Sequence, residues 1–350
     1  MSSAQKIVVL SEDLSEPWDE GIKKFAYCVG KALKTLGDVL MINVDRSGVG
    51  GETVLRVPGS RTFLSRPLSA AIRGHEADRI YYVPSPSNTT SSFGRAAVLR
   101  RIAPAARIGM VALIPRELSP GLLPLLRWAA PDVIWVPSYR SLLRLSRARI
   151  PGEVLPVGYD CGVFSPATSD ERTALREKYA VPREAFVALH VGHIRPKRNL
   201  GALTRMCALE GVRVIVIGST STPEDNGIRA RLESAGAHVI REFVDVAEFY
   251  RLADCYVFPV RDTEGCVEMP LSIVEALASG LPVLSTAFGG VRDFLLDGPD
   301  VVYWEQEDEL LDAVGKLMAN GRPKIRNMNA FAWEHIAATM TKRLSYAATP

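Results

Sequence analysis

Short β-branched runs alternate with amphipathic stretches along nearly the whole chain, and this alternation limits the possible folds more than any other feature. Strand candidates fall at 7–10, 39–43, 80–83, 108–114 and 133–136, then at 187–191, 213–217, 238–240, 255–258 and 282–285. Helical periodicity fills the intervals at 16–36, 121–128, 200–209, 227–235, 246–252, 271–278 and 291–296. Strand, helix and strand in repetition make βα units, which build parallel sheets covered by helices. The periodicity lapses around 155–184, where Gly, Pro and polar residues gather, so the pattern predicts two α/β domains joined there. At 350 residues the chain can fill two cores. The stretch 323–344 reads as one or two helices that can pack back across the joint. The chain thus divides into an N-terminal domain of residues 1–157, with about 328–350 returning to it, and a C-terminal domain of 158–327.

Composition narrows the function classes. No apolar run approaches the roughly 20 residues needed to cross a bilayer. The opening MSSAQKIVVLSEDLSEPWDE runs from a short apolar stretch straight into acids, unlike a signal peptide, and reads as a first strand. The five cysteines, Cys28, Cys161, Cys207, Cys255 and Cys266, are odd in number and contain no C-x-x-C pair. They predict neither a disulfide framework nor a zinc site, but thiols in a reducing cytoplasm. The net charge of +3 hides an asymmetry: residues 1–157 carry 21 Lys and Arg against 13 Asp and Glu. That basic half suits an anionic partner, either a phosphorylated acceptor or peripheral contact with an acidic membrane face. A solvated Arg-rich surface explains the same charge, and nucleic acid is not the expected partner.

The segment GCVEMPLSIVEALASGLPVLST, residues 265–286, carries the most chemistry. It follows a strand and leads into a helix from Leu271 that stops at Gly280, before Pro282. The loop Met269, Pro270, Leu271, Ser272 therefore sits at a strand's carboxyl end and a helix N-terminus. Free amides and the helix dipole make that a place for phosphate or carboxylate. Glu268 precedes the helix and can simply favour its dipole. Glu275 lies between Val274 and Ala276 in an almost wholly apolar helix, where an unpaired charge is expensive. A carboxylate beside a diphosphate is repelled, so both acids suit hydrogen bonds from sugar hydroxyls. A second segment, HVGHIRPKRNL at 190–200, ends a buried strand at Gly192 and continues through His193, Lys197 and Arg198 to Asn199. Gly lets a backbone approach a ligand, and the cations can neutralise a diphosphate.

Together these segments resemble the donor site of the family 4 retaining glycosyltransferases (glycosyl transferases group 1), which have the GT-B fold. That family's usual signature is Glu, seven residues, Glu, then Ala-x-Ala-x-Gly-x-Pro-Val. Here six residues separate Glu268 from Glu275, so in ungapped register the first Glu position falls on Val267. The family's Gly-Arg…Lys segment aligns its Arg with His193 and its Lys with Arg198. Further similarity lies in PDVIWVPS (131–138), VLPVGYDCGVFSP (154–166), RVIVIGST (213–220), IREFVDVAEFYRLADCYVFP (240–259) and NAFAWEHIA (329–337), in order and suitably spaced.

The resemblance implies two facing Rossmann-like domains, with a nucleoside-diphosphate sugar held by the C-terminal one and the last helix returning to the N-terminal one. It places Glu275 on the ribose, Glu268 on the donor sugar, and Gly218 and the backbone of Phe243 and Val244 beside the nucleotide. Arg198 and Glu268 become the residues closest to catalysis, with transfer to an acceptor hydroxyl, retention at the anomeric carbon and no cofactor. No D-x-D occurs in the chain, which suits metal independence. On the acceptor side Gly21 stands where the family carries a Gly-rich loop, and 85–92 and 114–118, with Arg116, supply polar groups. The acceptor itself is not legible: a glycan, a lipid-linked sugar and a small molecule all fit. His75 is the one histidine of this half and reads as a surface helix residue. The rival readings are a non-catalytic nucleotide-sugar-binding protein and a GT-B sugar-nucleotide epimerase.

Overall fold

In the computed structural model of the chain, the described residues are 5–18, 20–45, 53–58, 62–220, 222–263 and 266–346. Gly265, the first residue of the segment 265–286, lies outside them. The chain divides into two compact units, Met1–Gly158 with Trp333–Pro350, and Tyr159–Ala332.

The first unit runs β1 (Gln5–Ser11), α1 (Gly21–Leu33), β2 (Gly37–Asp45), β3 (Leu55–Pro58), α2 (Arg66–Gly74), β4 (Arg79–Tyr82), α3 (Thr90–Ile102), β5 (Arg107–Val111), α4 (Leu123–Trp128), β6 (Val133–Val136), α5 (Tyr139–Arg147) and β7 (Gly152–Val154). The second unit continues with α6 (Ser169–Lys178), β8 (Phe186–Val191), α7 (Gly201–Met206), β9 (Val212–Ile217), α8 (Asn226–Ser234), β10 (His238–Ile240), α9 (Val246–Leu252), β11 (Cys255–Phe258), α10 (Leu271–Ala278), β12 (Val283–Ser285), α11 (Val291–Phe294), β13 (Val301–Tyr303) and α12 (Glu307–Asn320). The last helix, α13 (Trp333–Tyr346), belongs to the first unit, where it packs on α1 through Phe25 edge-on to Trp333 (5.2 Å).

Both sheets are parallel and doubly wound. Their orders are β3-β2-β1-β4-β5-β6-β7 and β10-β9-β8-β11-β12-β13. Central strands are covered on both faces by helices, so they read as continuous apolar runs: Ile7, Val8, Val9 and Leu10 of β1 are wholly buried. Of the four edge strands, all three or four residues long, β3, β7 and β13 lack such a run and do not figure among the sequence-derived strands, whereas β10 does.

Several details differ from the sequence reading. The helix expected over 16–36 begins at Gly21, because Pro17 has no amide to donate and biases the residue before it away from helix. The strand expected over 108–114 ends at Val111, and the Ile114 amide turns instead to the Ser87 hydroxyl (3.2 Å). His75 is the residue just past α2, half-buried, with its Nε2 3.1 Å from the Asp38 carbonyl.

In β5, Gly109 faces the Trp135 indole of β6; a Cβ there would lie 2.2 Å from the ring, which also stacks on Tyr81 (5.9 Å). Gly109→Ala is therefore expected to destabilise the fold by at least about 1–3 kcal/mol through overpacking. A denaturant midpoint equal to wild type would show that the ring moves aside without strain.

Candidate functional site

The second sheet reverses its direction of winding between β8 and β11. Loops leaving the carboxyl ends of such neighbours depart to opposite faces, and a crevice opens between them. The backbone ladder here is short: only Ala188 pairs with Cys255 and Leu189 with Tyr256. Beyond it the strands part, and side chains span the gap in both directions. His190 Nδ1–H donates to the Val257 carbonyl (2.9 Å), and the Tyr256 hydroxyl donates to the Val191 carbonyl (3.2 Å). The two rings lie nearly parallel, 6.3 Å apart.

A carbonyl only accepts, so the Nδ1 of His190 carries the proton and Nε2 keeps its lone pair. Burial pulls the His190 pKa from 6.5 down to about 4; the Val257 bond opposes this, while the nearby charges of Arg198 and His193 add to it. The imidazole is thus a neutral strut. Its Nε2 lies 3.1 Å from where a Cβ on Gly192 would stand, a tight approach that a side chain there could make only by pushing the ring back a few tenths of an ångström.

That loop is fastened along its length. The Gly192 amide bonds the Ile217 carbonyl (3.0 Å), and the Ile194 carbonyl accepts from the Asp225 amide (2.8 Å). Pro196–Arg198 form one 3-10 turn, and Asn199 adopts a left-handed conformation (φ 53°) that aims its amide at the Pro259 carbonyl (2.9 Å). Asn tolerates that conformation better than most residues. Lys197 stands 3.9 Å from Asp262, and Arg198 interacts with the Cys266 thiol, which burial nevertheless raises above its ordinary pKa. The cations of the β8 loop are therefore held against the loop that follows β11.

Glu268, Met269, Pro270 and Leu271 of that second loop are all buried. Glu268 is seated through its backbone: its carbonyl accepts from the Gly290 amide (2.8 Å), and a Cβ on Gly289 (φ 51°) would lie 2.1 Å from the same oxygen. α10 then starts at Leu271 with no side-chain cap and no acid in its first turn, which leaves early amides and the positive dipole end open to an anion. Glu275, 3% exposed, lies among Tyr250, Tyr256 and Ser272. Burial first and Glu275 second push the Tyr250 phenol well above its ordinary pKa. Tyr256 is also raised by burial, against a hydrogen bond to Ser272.

The crevice rim thus gathers Gly192, His193, Arg198, Asn199, Glu268 and the start of α10, with Glu275 one turn further in. Gly218 directly follows β9, where its amide bonds the Ile240 carbonyl (2.9 Å); Phe243, 70% exposed, and Val244 follow β10 at the same end of the sheet. Gly21 and Arg116 belong to the other unit. Gly21 is the first residue of α1, and Arg116 is tied by backbone to Asn88, whose side chain accepts from its amide (2.6 Å) and donates to its carbonyl (3.1 Å). Asn88 thereby joins the loops after β4 and β5. Among the described residues no group of three His, Cys, Asp or Glu side chains is placed to hold a metal ion, and no helix is long and apolar enough to cross a membrane. Sequence reasoning passed over His190, Tyr256, Tyr250 and Gly289. The one available signal was a polar His190 inside the apolar run VALHV.

Comparison with known proteins covers the same region. The family described as glycosyl transferases group 1 matches residues 185–320. D-inositol 3-phosphate glycosyltransferase of Geodermatophilus obscurus is 31% identical over 222 residues, 56% of this chain and 47% of that protein. GDP-mannose-dependent alpha-mannosyltransferase of Mycobacterium tuberculosis is 31% identical over 168 residues, 46% of this chain and 41% of that protein. The chain spans about half the length of the curated relatives it matches. Among solved structures, sucrose-phosphate synthase from Thermosynechococcus elongatus superposes with a TM-score of 0.77 at 16% identity, covering 99% of this chain and 100% of that one. Anabaena HepE in complex with UDP and glucose gives 0.71 at 17% identity, over 98% and 100%.

The neutral strut makes stability depend on pH. The unfolded chain takes up the His190 proton near 6.5 and the fold resists it until about 4, so the unfolded state binds more protons between those values. Stability is full above 6.5 and is lost as pH falls toward 4, by up to about 3 kcal/mol from this group. Urea unfolding across that window, compared with His190→Gln, should show the wild type losing stability more steeply. Parallel profiles would mean that the imidazole titrates normally.

Proposed function

We propose that this chain is a group 1 glycosyltransferase of GT-B fold, which transfers a glycosyl group from a nucleoside-diphosphate sugar to an acceptor hydroxyl with retention at the anomeric carbon. One observation carries the reading. The basic loop with Arg198, the Glu268 loop and the open N-terminus of α10 meet at the carboxyl ends of β8 and β11, inside the region that matches the family.

The chemistry follows from that convergence. The diphosphate lies at the first turn of α10, where the Leu271 and Ser272 amides and the helix dipole meet its charge and Arg198 adds a bidentate fork. These groups stabilise the charge that grows as the glycosyl bond breaks, which is the moment when fixed dipoles accelerate reaction. With that charge met by the protein, the reaction proceeds without a metal. Glu275 takes the two ribose hydroxyls, Glu268 takes hydroxyls of the sugar, and the backbone at Phe243 and Val244 meets the base beside Gly218. His193 is a weaker contact, since it is cationic only at low pH or beside an anion. The acceptor oxygen attacks the face the diphosphate leaves and gives its proton to the departing phosphate oxygen, so no protein base is needed. In the first unit, the loops 85–92 and 114–118, with Arg116, and the start of α1 at Gly21 are the groups assigned to the acceptor side.

Arg198→Ala should weaken donor binding by about 1.5–3 kcal/mol in a folded protein, measured by calorimetry. Unchanged affinity would reduce Arg198 to a structural partner of Cys266. The two acids should separate. Glu275→Gln is expected to weaken nucleotide and nucleotide-sugar binding together, whereas Glu268→Gln should lower turnover and leave affinity for the bare nucleoside diphosphate intact. If Glu268→Gln turns over normally, Glu268 serves only to anchor its loop at Gly290, and backbone amides at 269–272 hold the sugar.

A further inference from the structure

The first unit carries an exposed feature for which donor chemistry has no use. Helices α4 and α5 each bury one stripe, Leu126 with Ala129 and Leu145 with Ala148, and turn the opposite stripe outward. On the first of these stripes, Leu122, Leu125 and Trp128 follow at intervals of three and are 38%, 51% and 68% exposed. On the second, Tyr139 and Leu143 are 59% and 50% exposed. The two helices are tied at one point, where Arg127 Nε of α4 donates to the carbonyl of Ala148, the residue that follows α5 (2.7 Å). Five large apolar side chains on two joined helices are more than the scattered singles of an ordinary surface.

The charge around them is predominantly positive. Residues 120–150 hold five arginines, Arg127, Arg140, Arg144, Arg147 and Arg149, against a single acid, Asp132. That acid is withdrawn from the surface (3% exposed side chain) beside Arg100 and Arg107. Arg140, Arg147 and Arg149 are exposed, and among the described residues only Arg144 of this group has a carboxylate partner, the exposed Glu117 at 2.8 Å. Leucines and a tryptophan flanked by exposed arginines form the amphipathic composition that lies flat in a headgroup layer, aromatic and apolar groups inward and guanidinium groups at the phosphates. A second copy of the chain would bring arginines against arginines, at a cost in repulsion.

We infer that the α4–α5 face docks on a membrane surface rich in anionic phospholipid. It inserts Leu122, Leu125, Trp128 and Leu143 to the level of the acyl boundary, with Arg140, Arg147 and Arg149 on lipid phosphates. All these residues belong to the first unit, so the inference is independent of the donor reading. Nucleotide affinity should be unaffected by their replacement.

Flotation of the full chain with vesicles of phosphatidylglycerol in phosphatidylcholine, against pure phosphatidylcholine, tests the assignment. The chain should float with the anionic vesicles only and be released by salt. Leu125→Ala with Trp128→Ala should reduce partitioning at least about tenfold, and Arg140→Gln and Arg147→Gln about fivefold each, with thermal unfolding unchanged. Equal recovery on neutral vesicles, or variants that float like wild type, would overturn it. So would a concentration-dependent dimer that Trp128→Ala abolishes in a chain that binds neither vesicle.

Discussion

The second unit depends on how two parallel strands are allowed to part. β8 and β11 share only two backbone pairs before their loops leave for opposite faces. A crevice produced in this way needs walls of fixed separation, yet the backbone has no more ladder to give. His190 and Tyr256 supply it with side chains, each reaching to the other strand's free carbonyl. Buried carbonyls without partners are costly, so the two bonds stabilise the opening as well as setting its width. Everything at the rim is hung from these strands: Gly192 sits on the imidazole, and Asn199 closes the basic loop onto Pro259.

Around that frame the electrostatics are arranged in opposition. Glu268 and Glu275 are buried acids on either side of a helix start, and Arg198 reaches Cys266 two residues before Glu268, where the proposed function puts a dianionic ligand. Two acids and a diphosphate cannot share one spot. The structure keeps them apart by seating Glu268 on Gly289 and Gly290, before the helix, and Glu275 deeper, among tyrosines. The mouth between them is left to backbone amides and the guanidinium group. On the function proposed, a donor lying across it would meet hydrogen-bond acceptors at its hydroxyl-bearing ends and donors in its middle.

Much of this was legible in the sequence, for reasons that can be named. Central parallel strands are apolar throughout, so 7–10, 133–136 and 255–258 announced themselves. The burial of Glu275 followed from its apolar neighbours, and the helix from Leu271 from its flanking Pro and Gly residues. Edge strands such as β13 have too few buried residues to leave a pattern. The start of α1 at Gly21 was obscured by polar residues that fit a helix equally well until Pro17 is weighed. His190 stayed hidden because its role depends on the distance to a strand about 65 residues later, as the Val257 contact shows. Gly289 likewise matters only through Glu268, a contact that no local spacing encodes.

The central claim is that the second unit is built to hold a nucleoside diphosphate, and thermal unfolding in the presence of such ligands tests it most directly. A ligand that binds only the folded chain, supplied at about 100 times its dissociation constant, adds about 2.7 kcal/mol of stability. The account predicts a clear rise in melting temperature with at least one of UDP, GDP and ADP or their sugar derivatives, and a much smaller one with the corresponding nucleoside. An unchanged melting temperature with all of them at millimolar concentration would contradict it.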